Sequence, residues 1–303
     1  MLLPFDGYLY GIAYELVDAT GRLLPNDLLH HLNLIDPDHR ELFLPISQRI
    51  VAVGRETGAQ SIPWFLFGYP VSAGQRMVVS VMLHNPTSED YKAVSVRFHL
   101  KYVKANRPWP LFSVYPFHID VAFPVGDKSF DLPPGRSTWS YKGSPALPGR
   151  LMVVISHMHE YAERITLEDV TEGRLIWEGF PIKDAEGNLK GVTIGRLYRK
   201  LGVKIFPERV YRVTITYNNP TPDTLFRGGM GVVGGVFMPA SGVEWPKADT
   251  HDPLYALDRK HYLREVRGRF DVIVKQSEHE QAPETMPMHR HGRNPPGRDD
   301  RRD

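Results

Sequence analysis

The chain has 303 residues, 42% hydrophobic and 24% charged, enough apolar material for folded cores; single cores stop growing near ~250–300 residues, so two domains are expected. Its 37 basic side chains nearly cancel its 35 acidic ones, so the overall balance predicts neither nucleic acid nor an anionic membrane as a partner and leaves only a local basic patch open. Cysteine is absent, which excludes disulfides, thiolate zinc sites, iron–sulfur clusters and cysteine nucleophiles, so any metal must be held by His, Met or carboxylate.

The N-terminal Met1-Leu2-Leu3-Pro4-Phe5-Asp6-Gly7 lacks a basic start followed by an apolar run, so no export signal is expected. No stretch reaches the ~20 apolar residues of a membrane span. Residues 26–31 are predicted to make one helical turn, and they end in the pair His30-His31. Neighbouring strand residues point to opposite faces, so both imidazoles can reach one ion only where the backbone is irregular or a strand begins. Otherwise one would be a core histidine and the other a surface one. Residues 76–83 read as a strand closing in His84-Asn85-Pro86, where a side chain reaches the sheet rim as a ligand or as an ordinary turn residue. Residues 93–103 form the next strand, with His99 sharing the parity of Arg97 and Lys101 and expected to face water. The strand-like residues 112–122 run into Phe123-Pro124-Val125-Gly126, which sets the expected boundary between a first domain, 1–122, and a second, 123–274.

Beyond the turn Pro133-Pro134-Gly135, residues 151–156 form an apolar strand that delivers His157-Met158-His159. Positions i and i+2 of a strand share a face, so these two imidazoles are a half-assembled chelate. Leu151, Val153 and Ile155 have the same parity and are apolar, predicting that the pair sits at the edge of a buried face. Glu160 is turned away by the same alternation, which disfavours a carboxylate base acting on metal-bound water. Strands follow at 174–177 and 210–217, with a turn at 185–188. Met230, in Arg227-Gly228-Gly229-Met230-Gly231, offers either the soft thioether that copper(I) prefers or a filler for a gap in the core. Residues 253–266 are predicted as a short helix or a strand and loop. From Lys275 to 303 the chain is rich in Pro, Arg, Asp, Glu and His and is expected to be a disordered tail, in which His289 and His291 could bind copper loosely. There is no Gly-x-Ser-x-Gly elbow, and residues 191–195 lack a phosphate-loop pattern, so a hydrolase is not expected. Short strands cut by Gly, Pro, Asn and Asp predict an all-β fold of two antiparallel sandwiches.

A His-His pair, Leu83-His84-Asn85-Pro86, a Pro-Pro-Gly turn, a His-x-His, Thr216-Tyr217-Asn218-Asn219 and a Met after Gly228-Gly229, in that order over residues 7–240, resemble the copper type II ascorbate-dependent monooxygenases. This family includes peptidylglycine α-hydroxylating monooxygenase and dopamine β-monooxygenase. The resemblance implies two jelly-roll-like sandwiches, each holding one copper ion, facing each other across a water-filled cleft. By position, His30, His31 and His84 would hold an electron-storing copper. His157, His159 and Met230 would hold the copper that binds dioxygen and would be the catalytic residues. It further implies ascorbate as reductant, hydroxylation of a C–H bond in a small organic substrate, and a periplasmic or secreted location. Three departures qualify the match. Ile155 stands where peptide-hydroxylating members carry an arginine, so peptides are not expected substrates. The family's disulfides are missing. Met230 follows Gly228-Gly229 directly, which leaves Met238 as an alternative thioether. Trp64, Phe65, Tyr69 and Tyr161 are candidate cleft-lining residues. Two other readings stand beside this one: a copper-binding or copper-storage protein on the same scaffold, and a metal-free sandwich serving as a binding or assembly module.

Overall fold

The computed structural model describes residues 1–54, 57–124 and 128–264. Period-two alternation is clearest at Ser95–Lys104, where Ser95, Arg97, His99 and Lys101 face water while Val96, Phe98 and Leu100 pack inward. This strand and its neighbours build the first sandwich. In chain order these are β1 (Gly7–Val17), β2 (Leu29–Arg40), β3 (Ser47–Gly54), β4 (Gln60–Ser61), β5 (Phe67–Val71), β6 (Val78–Leu83), β7 (Ser95–Lys104) and β8 (Phe112–Ser113). One sheet centres on β1, which pairs with β4, β5 and β7, and the facing sheet has the order β3-β2-β6. Ile12, Leu16, Leu28, Leu29, Leu32 and Val53 fill the space between them. A 3-10 turn at Asn26–Leu28 leads into β2, close to the helical turn predicted there.

The second sandwich contains β9 (Tyr115–Asp120), β10 (Phe130–Leu132), β11 (Gly135–Gly143), β12 (Gly149–Met158), β13 (Ala162–Asp169), β14 (Arg174–Gly179), β15 (Pro181–Lys183), β16 (Leu189–Val192), β17 (Val203–Ile205), β18 (Tyr211–Asn219), β19 (Leu225–Gly229) and β20 (Gly231–Pro239). Two four-stranded sheets, β17-β12-β20-β9 and β11-β18-β13-β14, enclose its core, and β10–β19 and β15–β16 form ribbons beside them. Tyr211, Val213, Ile215 and Tyr217 alternate along β18 and are all fully buried. The predicted turns before β11 and between β15 and β16 use Gly135 and Gly187 at positive φ, a conformation that costs glycine little. The strand pairings are antiparallel apart from a short parallel contact of β5 with β8, so the all-β expectation holds among the described residues. The tail expected at 275–303 lies outside them.

The expected boundary at 122/123 does not match the sheets. β9 pairs with β20 from Tyr115 to Asp120, so the chain has joined the second sandwich before that point. More consequentially, the turn between β2 and β3 inserts Leu42, Phe43, Leu44 and Ile46 into the core of the second sandwich. There Phe43 meets the edges of Phe117 and Tyr211 at 5.2 and 6.3 Å, and Leu42 accepts a backbone hydrogen bond from Ala146. Each such buried side chain contributes about 1.5–3 kcal/mol relative to exposure.

Polar contacts reinforce this joint. Glu41 accepts hydrogen bonds from the Arg49 backbone and pairs with His118 of β9 at 2.9 Å. Trp245 donates to the Arg40 carbonyl and stacks on Tyr115 at 4.5 Å. The helix α1 (Pro253–Arg264) settles the helix-or-strand alternative for this segment and returns to the first sandwich. Its Asp258 receives both terminal nitrogens of the partly buried Arg49, and its Tyr262 hydroxyl bonds Ser47.

Removing the Phe43 ring leaves a cavity that neither sandwich can close alone. Phe43→Ala is expected to lower the unfolding free energy by about 3–5 kcal/mol, measured by urea denaturation.

Candidate metal centre

His30 and His31 lie at the start of β2, where the pairing with β6 slips between Leu29 and His31. The irregular backbone that the sequence required is therefore present, and the two rings stand only 4.0 Å apart, centroid to centroid. His84 follows the last residue of β6 and donates its backbone N–H to the Leu28 carbonyl, closing the rim of the same sheet. His157 is the penultimate residue of β12, and His159 opens the turn to β13, where its carbonyl accepts the Ala162 N–H. Tyr161, in the left-handed region at φ 68°, completes that turn and accepts a bond from Asn218. The two imidazoles of His-x-His share a side, with centroids 5.2 Å apart.

The face they occupy is not the one predicted. A register shift between Leu151 and Val153 in the β12–β20 pairing reverses the parity. Beyond it Val154 and Met158 point into the core, while Val153, Ile155 and His157 are half-buried, Ile155 still packing against the edge of that core. A one-residue bulge does this because side chains alternate with a period of two.

The face that carries His157 meets the first sandwich, and the two histidine sets come together. His30 lies 5.4 Å from His159 and 6.4 Å from His84, and His31 lies 5.0 Å from His157 and 6.3 Å from His159, between ring centroids. The two histidine sets expected in separate sandwiches therefore stand within ring-contact distance of each other across the joint. Within this nest, ligand nitrogens of His30, His31 and His159 all lie within 4.8 Å of one another. Metal–imidazole bonds of roughly 2.0–2.1 Å put nitrogens about 3.3 Å apart, so side-chain adjustments of order 1 Å would close the triad on an ion. Three imidazoles at this spacing could hold a metal ion, and imidazole suits zinc, copper, iron and nickel alike.

Met230 occupies the break between β19 and β20. The Tyr217 hydroxyl, reaching from the facing sheet, accepts the backbone N–H groups of His159 at 2.9 Å and Met230 at 3.1 Å and donates to the Met230 carbonyl. One phenol thus ties the His159 turn to the methionine. Met238 is excluded as the alternative thioether, because it pairs with Arg150 at the far end of β12 and packs with Phe67 and Met152. Sequence reasoning missed Met82, which stands directly across from His31 in the β2–β6 ladder and so shares its face. Its position two residues before His84 was the available signal. Of the residues considered for a cleft lining, Trp64 and Phe65 are exposed, whereas Tyr69 is buried and donates to Asp36 or Gln48. His99 is exposed, as expected, and Glu160 accepts a bond from Leu189, as its orientation away from the nest requires.

Electrostatics favour a ligand-competent ring at His31. Loss of water in the nest, then the neighbouring His157, His30 and His159, hold the His31 imidazolium well below its usual range of stability. Across β20, Val232 pairs with His157 on one side and Asp120 on the other. Burial pushes the Asp120 carboxyl up, against the opposing pull of His118, Lys128 and, more weakly, His157.

No protein-family model and no curated protein matches the chain. Among solved structures, it is similar to one of the infectious bursal disease virus Gx strain, at 10% identity and a TM-score of 0.23, covering 81% of this chain and 61% of that one. A structure of the Gt strain of the same virus gives 13% identity and a TM-score of 0.21, covering 86% and 73%. Likenesses at this level carry no argument about fold or function.

Two outcomes are expected from this geometry. Because folded His31 stays neutral where an unfolded imidazole, with a pKa near 6.5, is protonated, unfolding takes up a proton below that pH. The metal-free protein should hold its full stability above about pH 6.5 and lose it progressively on acidification, as followed by urea midpoints, and His31→Leu should flatten the slope. Tyr217→Phe, which removes only the hydroxyl, should weaken metal binding by roughly 10–100-fold, measured by competition titration with a chelator.

Proposed function

We propose that the chain is a copper-dependent monooxygenase that hydroxylates a C–H bond of a small organic substrate, using dioxygen and an external reductant such as ascorbate. The observation that carries this reading is the convergence of His30, His31 and His159, from motifs 129 residues apart at their extremes, to within 4.8 Å. The ordered set of motifs described above supplies the rest. In this reading His30, His31 and His84 and, with them, His157, His159 and Met230 hold two copper ions per chain. Bound copper would supply one-electron redox chemistry and the activation of dioxygen. The chain's own residues do the positioning: the start of β2 presents two adjacent rings, the bulge in β12 aims His157 at the first sandwich, and Tyr217 holds the His159 turn against Met230. Ile155 shares the His157 face, so the nearest β12 neighbour is apolar rather than an arginine for a substrate carboxylate. That favours an apolar or aromatic substrate over a peptide.

One observation favours a second reading, in which copper is held without hydroxylation. The merged nest, with centroids 4.0 to 6.4 Å apart, leaves little separation between an electron-storing and an oxygen-binding ion.

Titration of metal-free protein with copper, followed by ascorbate-dependent oxygen uptake, separates the two. Two ions per chain with uptake coupled to a hydroxylated product support the monooxygenase, and binding without coupled uptake supports the second reading. His159→Ala should abolish at least one copper while sparing the fold; full copper retention by this variant removes the basis of both.

A further inference from the structure

Far from the nest, the rim of the first sandwich exposes large apolar side chains in one place. Trp64, Phe65, Leu111 and Phe112 are 41, 45, 56 and 44% exposed. They form a continuous patch: Leu111 donates to the Phe65 carbonyl, Phe112 donates to the Leu66 carbonyl, and Trp64 meets Trp109 edge-on at 6.5 Å. A chain of rings, Phe112 to Phe67 at 6.3 Å and Phe67 to Tyr198 at 5.8 Å, brings the 3-10 turn Leu197–Lys200 alongside. That turn ends in Leu201, which is 75% exposed.

The turn is also the local basic patch that the balanced overall charge left open. Residues 194–204 hold Arg196, Arg199, Lys200 and Lys204 and no acidic residue, and Arg196, Arg199 and Lys200 are exposed. The aromatic segments beside it, residues 62–66 and 107–112, carry no acidic residue either. Protruding Trp, Phe and Leu flanked by Arg and Lys make up the composition of an interfacial membrane footprint, in which the rings enter the headgroup layer and the cations meet anionic lipid. A second copy of the chain fits less well, because burying the patch against itself would also bring the cations of both copies into one contact.

We infer that the face formed by Trp64, Phe65, Trp109, Leu111 and Phe112, with Arg199 and Lys200 at its edge, docks the protein on an anionic lipid surface. Arg150 bonds the Leu201 carbonyl at 2.8 Å, so the patch adjoins the start of β12, seven residues or roughly 20 Å from His157. The inference is independent of whether the nest hydroxylates a substrate.

The test is co-sedimentation of the full chain with phosphatidylcholine vesicles, with and without phosphatidylserine, alongside tryptophan emission. Binding is expected only with phosphatidylserine, with a blue shift as Trp64 and Trp109 leave water. Arg199→Gln with Lys200→Gln should weaken binding roughly 25-fold, at about five-fold per cation. Trp64→Ser with Trp109→Ser should abolish it, and Phe226→Ser, at an exposed ring on β19 outside the patch, should leave it unchanged. Far-UV circular dichroism should show all three variants folded. Absence of binding to phosphatidylserine vesicles, binding indifferent to the charge change, or wild-type self-association that the tryptophan changes relieve would each overturn the inference.

Discussion

The insertion of Leu42, Phe43, Leu44 and Ile46 into the core of the second sandwich is the constraint from which the candidate centre follows. β2 carries the insert just beyond its end and His30-His31 at its start, and its 12 residues span about 40 Å. Seating the insert therefore fixes the pose of the strand that presents the first imidazole pair. β12, whose Leu151 and Val154 pack in the same core as Phe43, fixes the second pair. The nest is the place where two rigid strands, anchored in a common apolar interior, bring their polar ends together.

Much of this was legible from the residues. The strands at 93–103 and 210–217 follow from alternation, and the shared side of His157 and His159 follows from the period of two. The condition for His30 and His31 to act together, a strand start or an irregularity, is met by both. What escaped was local and small. A single slip between Leu151 and Val153 reversed the face of His157, and nothing in an apolar run such as Leu-Met-Val-Val-Ile marks where such a slip falls. The insert was equally silent, because Leu-Phe-Leu reads as core without saying whose core it joins. Met82 went unremarked since its value lies in a cross-strand partner, and registers are not written in one strand alone.

The order of motifs along the chain also could not reveal how the two histidine sets would meet. A resemblance to a two-copper family assigns residues to ions by sequence position, and it carries no information on the angle at which two sandwiches dock. Here the docking is set by the insert, by Glu41 with His118 and by Trp245 against Tyr115, none of which belongs to a metal motif. The approach of His30, His31 and His159 to within 4.8 Å of one another is thus a property of packing, set by contacts that belong to no metal motif.

The clasp between Arg49 and Asp258 has a bearing on how the protein is made. On a ribosome, β3 emerges about two hundred residues before the helix that neutralises its guanidinium, and Leu42 to Ile46 appear long before the barrel of side chains that receives them. Until then Arg49 has only the Ser47 carbonyl and the charge of Glu41 beside it, and the apolar segment stays open to water. A product that ends before residue 117 therefore exposes Leu42, Phe43, Leu44 and Ile46 with none of the core that receives them.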